Sequence, residues 1–310
     1  MVQTIKVKEF SDMTEKIIVK PSPFAHHGDE VIKYDVVQKS KTLSIRNMFE
    51  RRLLLDVDGK IMYYIDKYTY LNAYLIRNLL ASEMECKPEF CRERLNHLVK
   101  LGLLSRFRIT HGDKFGKTHA SSYFYSFSEK GRSLYRKEKK RADAELPDAG
   151  DVLRQVAFNQ LYIMLYLIYG PSCVNQVYRY GNKAYDGQVQ FSSMGRNTSF
   201  HIMSLRTNEQ WKETYVSRLL EGQKQKIPCK AYIVLCETEL QALEAERYRK
   251  SVADVSKLNI CYLCDHATNS PDGIFSHLIM VKPENNYSSY DICSIPIDGS
   301  RRGVPVEEQR

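Results

Sequence analysis

The stretch PEFCRERLNHLVKLGLLSRFRIT, residues 88–110, changes its period in the middle. Cys91, Leu95 and Leu98 recur at the spacing of one helix face, Pro88 suits a first helical turn, and Gly102 ends the run. Beyond Gly102 the period drops to two: LLSRFRIT (103–110) alternates, and so does SSYFYSFS (121–128). Between them lies HGDKFGKTHA (111–120), rich in Gly, Lys and His, so the two runs predict a β-hairpin with a basic tip. Ser128 is placed to cap a closing helix, EKGRSLYRKEKKR.

Upstream, the pattern is helical. IRNMFERRLLL has apolar residues at 45, 48, 49 and 53. Asp58 is placed to cap GKIMYYIDKY, and Thr69 to cap YLNAYLIRNLL. The order helix, helix, helix, hairpin, helix predicts a winged helix-turn-helix over residues 43–141. Residues 1–42 read as an N-terminal arm or hairpin, with KIIVKP and EVIKYDVV as short strands around PSPFAHHGD. His26 and His27 have no further ligand at suitable spacing and read as surface histidines.

Charge concentrates in the same region. The net charge is +9, yet Lys87 to Arg141 holds 15 Lys or Arg against 5 Asp or Glu, so the rest of the chain is close to neutral. A basic segment in a neutral chain is the electrostatic footprint of a polyanion partner. On the helix wheel, Glu89, Arg92, Glu93, Asn96 and Lys100 oppose the apolar face. Arg92 and Asn96 are residue types that pair bidentately with guanine and adenine, and Glu93 can accept from cytosine. Lys87 and Lys100 suit phosphates. Arg106 and Arg108 are expected to alternate outward on the first hairpin strand, with Lys114, Lys117 and His119 at its tip, facing the backbone or minor groove. The expected partner is double-stranded DNA, with a second copy or a replication or transfer protein as further partners.

LPDAGD (146–151) reads as a linker, bounded at 142–150, and an α/β domain is expected over 151–296, followed by a tail over 297–310. DVLRQVAFNQLYIMLYLIYG is apolar nearly all round, as for a helix buried in a core or against a partner. Strand-like and helical runs then alternate, which implies at least one parallel crossover. The longest apolar stretch, Leu161 to Tyr169, is about half of what a membrane span needs. No secretory signal opens the chain and its eight cysteines are scattered, so a cytoplasmic protein with no membrane partner is expected. Cys261 and Cys264 form a C-x-x-C inside the apolar run LNICYLC and read as buried small hydrophobes; neither a metal site nor a cofactor is expected.

RERLNHLVKLGLLSRF, a basic wing and YFYSFSEKGRSLY together resemble the plasmid replication-relaxation family of winged-helix proteins of mobile elements. That family's strand reading "tyr-x-leu-thr-x-x-gly" stands here as Tyr125-Ser126-Phe127-Ser128-Glu129-Lys130-Gly131. The likeness covers Asp58 to Arg136. For the second half it implies a restriction-nuclease-type α/β domain with degenerate catalytic positions. Such a nuclease needs an Asp at one strand and Asp/Glu-x-Lys on the next, to hold Mg²⁺ and activate water. Asp186 suits the first place, but Ser204-Leu205-Arg206 fills the second, and serine is no charged metal ligand. The resemblance implies a non-enzymatic DNA-binding protein acting in replication, DNA relaxation or transfer, or local regulation. A metal-dependent nuclease delivered by the winged helix and a ligand-sensing transcription regulator are the alternatives.

Overall fold

The computed structural model describes residues 3–6, 22, 24–25, 31–35, 43–84, 86–112, 118–120, 123–136, 148–170, 174–178, 184–193, 196–208, 210–225, 231–269, 277–283 and 289–293. The chain is a mixed α and β protein with two sheets. It divides into two compact units, Asp29–Val152 and a larger one made of Met1–Gly28 with Leu153–Arg310. The two described strands of the first 42 residues do not pair as a hairpin and belong to different sheets. Strand β1 (Gln3–Lys6) belongs to the large sheet, and β2 (Val31–Tyr34) to the small one. KIIVKP, His26, His27 and the tail 297–310 lie outside the described residues.

In the smaller unit the chain runs through α1 (Ile45–Glu50), α2 (Asp56–Tyr68), β3 (Leu71–Asn72), α3 (Ala73–Glu83), α4 (Pro88–Lys100), β4 (Leu104–Gly112), β5 (Thr118–Ala120), β6 (Phe124–Phe127) and α5 (Glu129–Arg136). Its sheet has the order β2-β4-β6-β3, with β5 also on β4. The hairpin thus bends back until β6 reaches the short strand between α2 and α3. Leu75, Ile76, Leu79, Leu95 and Leu98 close the core, each worth about 1.5–3 kcal/mol when fully buried. Phe107 joins the sheet to that core, with Tyr34, Tyr70 and Phe124 within 6.0 Å, centroid to centroid.

Three helix boundaries differ from expectation. The helix begun at Ile45 stops at Glu50, where Arg52 takes a left-handed φ of 56°, so Leu53 and Leu54 fall outside it. Asp58 sits inside α2, not before it, and its carboxylate accepts the Leu55 N–H at 2.8 Å. Thr69 ends α2 with φ 66°, while Asn72 caps α3 by accepting from Leu75 N at 2.9 Å. Pairing of Leu71–Asn72 with β6 delays the helix by three residues, from Tyr70 to Ala73. Gly102 carries φ 68°, the left-handed turn that releases the chain from α4 into β4.

The larger unit holds α6 (Ala149–Tyr169), the antiparallel strands β7 (Val174–Tyr178), β8 (Gly187–Ser193) and β9 (Arg196–Ser204), then α7 (Trp211–Lys224), β10 (Ala231–Cys236), α8 (Glu239–Lys250) and β11 (Ile260–Cys264). A 3-10 helix (Asp265–Asn269), β12 (Leu278–Lys282) and β13 (Ser289–Cys293) follow. The sheet order is β1-β13-β12-β11-β10-β9-β8-β7. β10 is parallel to both β9 and β11, so the expected parallel crossover is present twice. Helices α7 and α8 pack on Met203, Tyr232, Val234 and Tyr262 of one sheet face. Alternation turns Ile202, Ile233 and Leu263 to the other face. α6 begins inside the segment expected as a linker. Phe158 of this helix touches the backbone at Gly187, where an added Cβ would lie 2.2 Å from its ring. This helix is buried on nearly all sides, as its composition predicts.

Candidate functional site

Two constellations carry chemistry, one in each unit. In the smaller unit, Cys91, Leu95 and Leu98 hold α4 against the core, leaving Lys87, Glu89, Phe90, Arg92, Glu93 and Lys100 exposed. Burial pushes the Cys91 thiol up to about 12, so this cysteine is a packing group and not a nucleophile. Arg94 turns inward. Its Nε donates to Asp58 Oδ1 at 2.9 Å and its Nη2 to Asp58 Oδ2, while His97 Nε2 meets the Leu53 carbonyl at 2.8 Å. These contacts tie α4 to α2 and fix which face of α4 is outward.

Two of the expected DNA contacts are engaged within the unit. Arg106 donates through Nε to Asp35 Oδ2 at 2.5 Å and through Nη1 to Asn96 Oδ1 at 2.8 Å. A bidentate contact to adenine needs that same Asn96 oxygen as an acceptor, so the network removes Asn96 from that role. Arg106, neutralised by Asp35, is likewise not the outward cation expected of it. Arg108, one pleat on, is exposed and pairs in register with exposed Lys33 of β2. Tyr123 packs beneath both arginines, its ring 4.8 Å from Arg106 Cζ and 5.9 Å from that of Arg108. Among the described residues, Lys33, Lys87, Arg92, Lys100 and Arg108 make no ion pair. Lys114 and Lys117 lie outside the described residues. His119 is in β5, and its side chain lies outside them too.

In the larger unit the polar groups gather at one end of the sheet. Asp186 precedes β8, and its carboxylate accepts the backbone N–H of Ser204 at 2.6 Å. The residue in the first carboxylate place thus stands beside the serine in the second. Arg218 of α7 then donates to Asp186 Oδ1 at 2.8 Å and to the Ser204 carbonyl at 3.3 Å, both side chains being nearly buried. A backbone N–H and a guanidinium therefore engage the two oxygens of this carboxylate.

Neighbouring strand ends continue the pattern. β10 ends at Leu235-Cys236 and is followed by Glu237, and β11 ends at Leu263-Cys264 and is followed by Asp265, with Cys236 and Cys264 in register. Glu237 accepts from Thr207 N at 3.0 Å and Thr207 Oγ1 at 2.7 Å. Asp265 pairs with Arg206 at 3.0 Å and accepts from Ser22 Oγ. Burial raises the Asp265 carboxyl above its ordinary 3.8, and the Arg206 charge opposes that. Arg206 thus holds a buried acid in place and is not a free cation. Arg218, Glu237 and Asp265 were not among the residues expected from sequence. The repeated Leu-Cys-acid ending of two apolar runs was the available signal, because ligands of parallel sheets bind beyond the carboxyl ends of strands.

No protein-family model matches the sequence, and no curated protein matches it. Among solved structures, the chain is similar to restriction endonuclease FokI (TM-score 0.27) and to FokI bound to DNA (TM-score 0.26). Both are 9% identical over 69% of this chain, and the chain spans 43% of their length. Among the described residues no helix is long and apolar enough to cross a membrane.

Proposed function

We propose that this chain is a sequence-specific double-stranded DNA-binding protein whose unit Asp29–Val152 is a winged helix-turn-helix. The observation that carries the reading is the outward face of α4. It presents Lys87, Arg92 and Lys100, and the exposed Lys33–Arg108 pair adds two more cations that make no ion pair among the described residues of the same unit. Like charges opposite one another on neighbouring strands are destabilising. A polyanion lying across them reverses the sign. The order α2, β3, α3, α4, β4, β6, with β3 closing on β6, supports the winged form. In it, α4 enters the major groove and Arg92 reads a base edge, while Lys87, Lys100, Lys33 and Arg108 hold phosphates.

The larger unit supports a nuclease-like layout without cutting, since Asp186 is neutralised by Arg218 and faces Ser204. The resemblance of residues 58–136 to replication-relaxation proteins supports a role in a plasmid or mobile element, in replication, relaxation, transfer or local regulation.

Titration of labelled duplex DNA at several salt concentrations tests the reading. The parent should show a steep negative slope of log affinity on log salt. Each of Lys87→Ala, Lys100→Ala and Arg108→Ala should flatten it by about 0.9. Arg92→Ala should relax base preference by about 1–3 kcal/mol in a site-selection experiment. A parent without measurable duplex binding, or variants indistinguishable from it in slope and preference, would overturn the proposal. Supercoiled plasmid incubated with Mg²⁺ or Mn²⁺ should stay uncut; nicking abolished by Asp186→Ala would restore the enzyme reading.

A further inference from the structure

The C-x-x-C of β11 does not act as a pair. Residues three apart on a strand point to opposite faces, so Cys261 and Cys264 cannot clamp one ion. Cys264 instead meets two residues from other elements. Glu239 opens α8, next to the cap in which Thr238 Oγ1 accepts from Gln241 N at 3.1 Å. His266 lies in the 3-10 helix that follows β11. One ligand atom from each of Glu239, Cys264 and His266 falls within 4.8 Å of the other two. His266 Nε2 is 3.5 Å from Glu239 Oε1, and its Nδ1 is buried with no hydrogen-bond partner.

Tetrahedral zinc with bonds of about 2.0 Å to oxygen, 2.0–2.1 Å to nitrogen and 2.3 Å to sulfur has ligand–ligand edges of roughly 3.3–3.6 Å. The Glu239–His266 edge is already of that length. A sulfur, an imidazole and a carboxylate form a donor set suited to a borderline-soft cation and poorly suited to Mg²⁺ or Ca²⁺. Glu239 and His266 are 26% and 29% exposed, so water has access for a fourth position, while Cys264 is 2% exposed. We propose that Glu239, Cys264 and His266 form a Zn²⁺ site at the carboxyl end of β11, on the α8 side of the sheet.

Binding exchanges one proton for the metal: the Cys264 S–H bond breaks, the thiolate bonds to zinc and the proton passes to solvent. Burial, and then the charge of Glu239, hold the free Cys264 thiol well above its ordinary value. The ion would fasten the end of β11 to the start of α8.

The test uses the full chain, freed of metal by chelation and titrated with Zn²⁺ against a chromophoric competitor, then with Co²⁺. One Zn²⁺ per chain is expected, and the Co²⁺ form should show a thiolate-to-metal charge-transfer band. Cys261→Ser should keep both. His266→Ala and Glu239→Gln, on partly exposed residues, should each weaken Zn²⁺ by at least the roughly 10–100-fold that loss of a merely orienting group costs. Cys264→Ser should abolish the band, with circular dichroism reporting whether it folds; the other two variants decide the matter if it does not. No bound Zn²⁺ in the parent, a Co²⁺ complex without the thiolate band, or unchanged affinity in His266→Ala would each overturn the site.

Discussion

Arg206 and Asp265 are 2% and 1% exposed at the side chain, so neither charge has water to fall back on. Removing one partner strands the other, whereas removing both does not. Arg206→Ala should therefore cost about 3–5 kcal/mol, and Arg206→Met with Asp265→Leu far less; denaturant unfolding of the three proteins checks the order. Because the Asp265 carboxyl is raised above its ordinary 3.8, the folded chain binds the extra proton between its unfolded and folded pKa values. This group's contribution to stability is thus present below the window, declines as pH rises through it, and stays lost above it. Unfolding free energy followed from the ordinary carboxylate range to neutrality should fall less steeply with rising pH in Asp265→Asn than in the parent. Gly131 is decided by contact: a Cβ there would lie 1.8 Å from the Leu103 carbonyl oxygen. That carbonyl also accepts from Ser128 N at 3.1 Å, so it cannot retreat freely. Gly131→Ala should cost about 1–3 kcal/mol or more, read as a lowered melting temperature.

At the scale of elements, α4 is oriented by an ion pair at its middle. Asp58 is fully buried, receives the Leu55 N–H, and is held by Arg94 from the opposing helix. Arg94→Ala leaves that carboxylate buried beside only a backbone donor, which should cost about 3–5 kcal/mol. Asp58→Asn with Arg94→Met should recover much of the loss. In the DNA-binding reading, the recovered protein should regain duplex affinity together with its melting temperature, since neither residue reaches the outward face of α4. Affinity that stays low in a stable double variant would assign Arg94 a direct DNA contact instead.

At the scale of the molecule, the two units have separate cores. The smaller rests on Leu75, Ile76, Leu95, Leu98 and Phe107, and the larger on Met203, Tyr215, Val234 and Tyr262. Stability should therefore respond unit by unit. Gly131→Ala and Arg94→Ala should lower hydrogen-exchange protection of amides in Asp29–Val152 and leave β9, β10 and β11 unchanged. Arg206→Ala should do the reverse. Protection lost together in both units by either class of variant would show one cooperative molecule instead of two.

The sequence by itself determined those features that rest on local rules. Pro88, the Cys91–Leu95–Leu98 face and Gly102 bound α4 within one residue of its observed ends, because caps and helix periods act over a few residues. The period of two after Gly102 marked the hairpin, and alternating strands and helices marked the parallel crossover. Tertiary structure decided what local rules leave degenerate. Thr69 and Asn72 are both capable caps, and the pairing of Leu71–Asn72 with β6 chose Asn72. Asn96 and Arg106 read as outward polar groups, but Asp35, 71 residues from Arg106, pairs with Arg106, which in turn donates to Asn96. Asp186, which suits the first carboxylate place of a nuclease, is met by Arg218, and β1 lies on β13 at the far end of the chain. These contacts are set by which apolar faces pack together, and a polar side chain then takes whatever partner that packing brings within about 3 Å. Spacing along the chain holds no record of that partner.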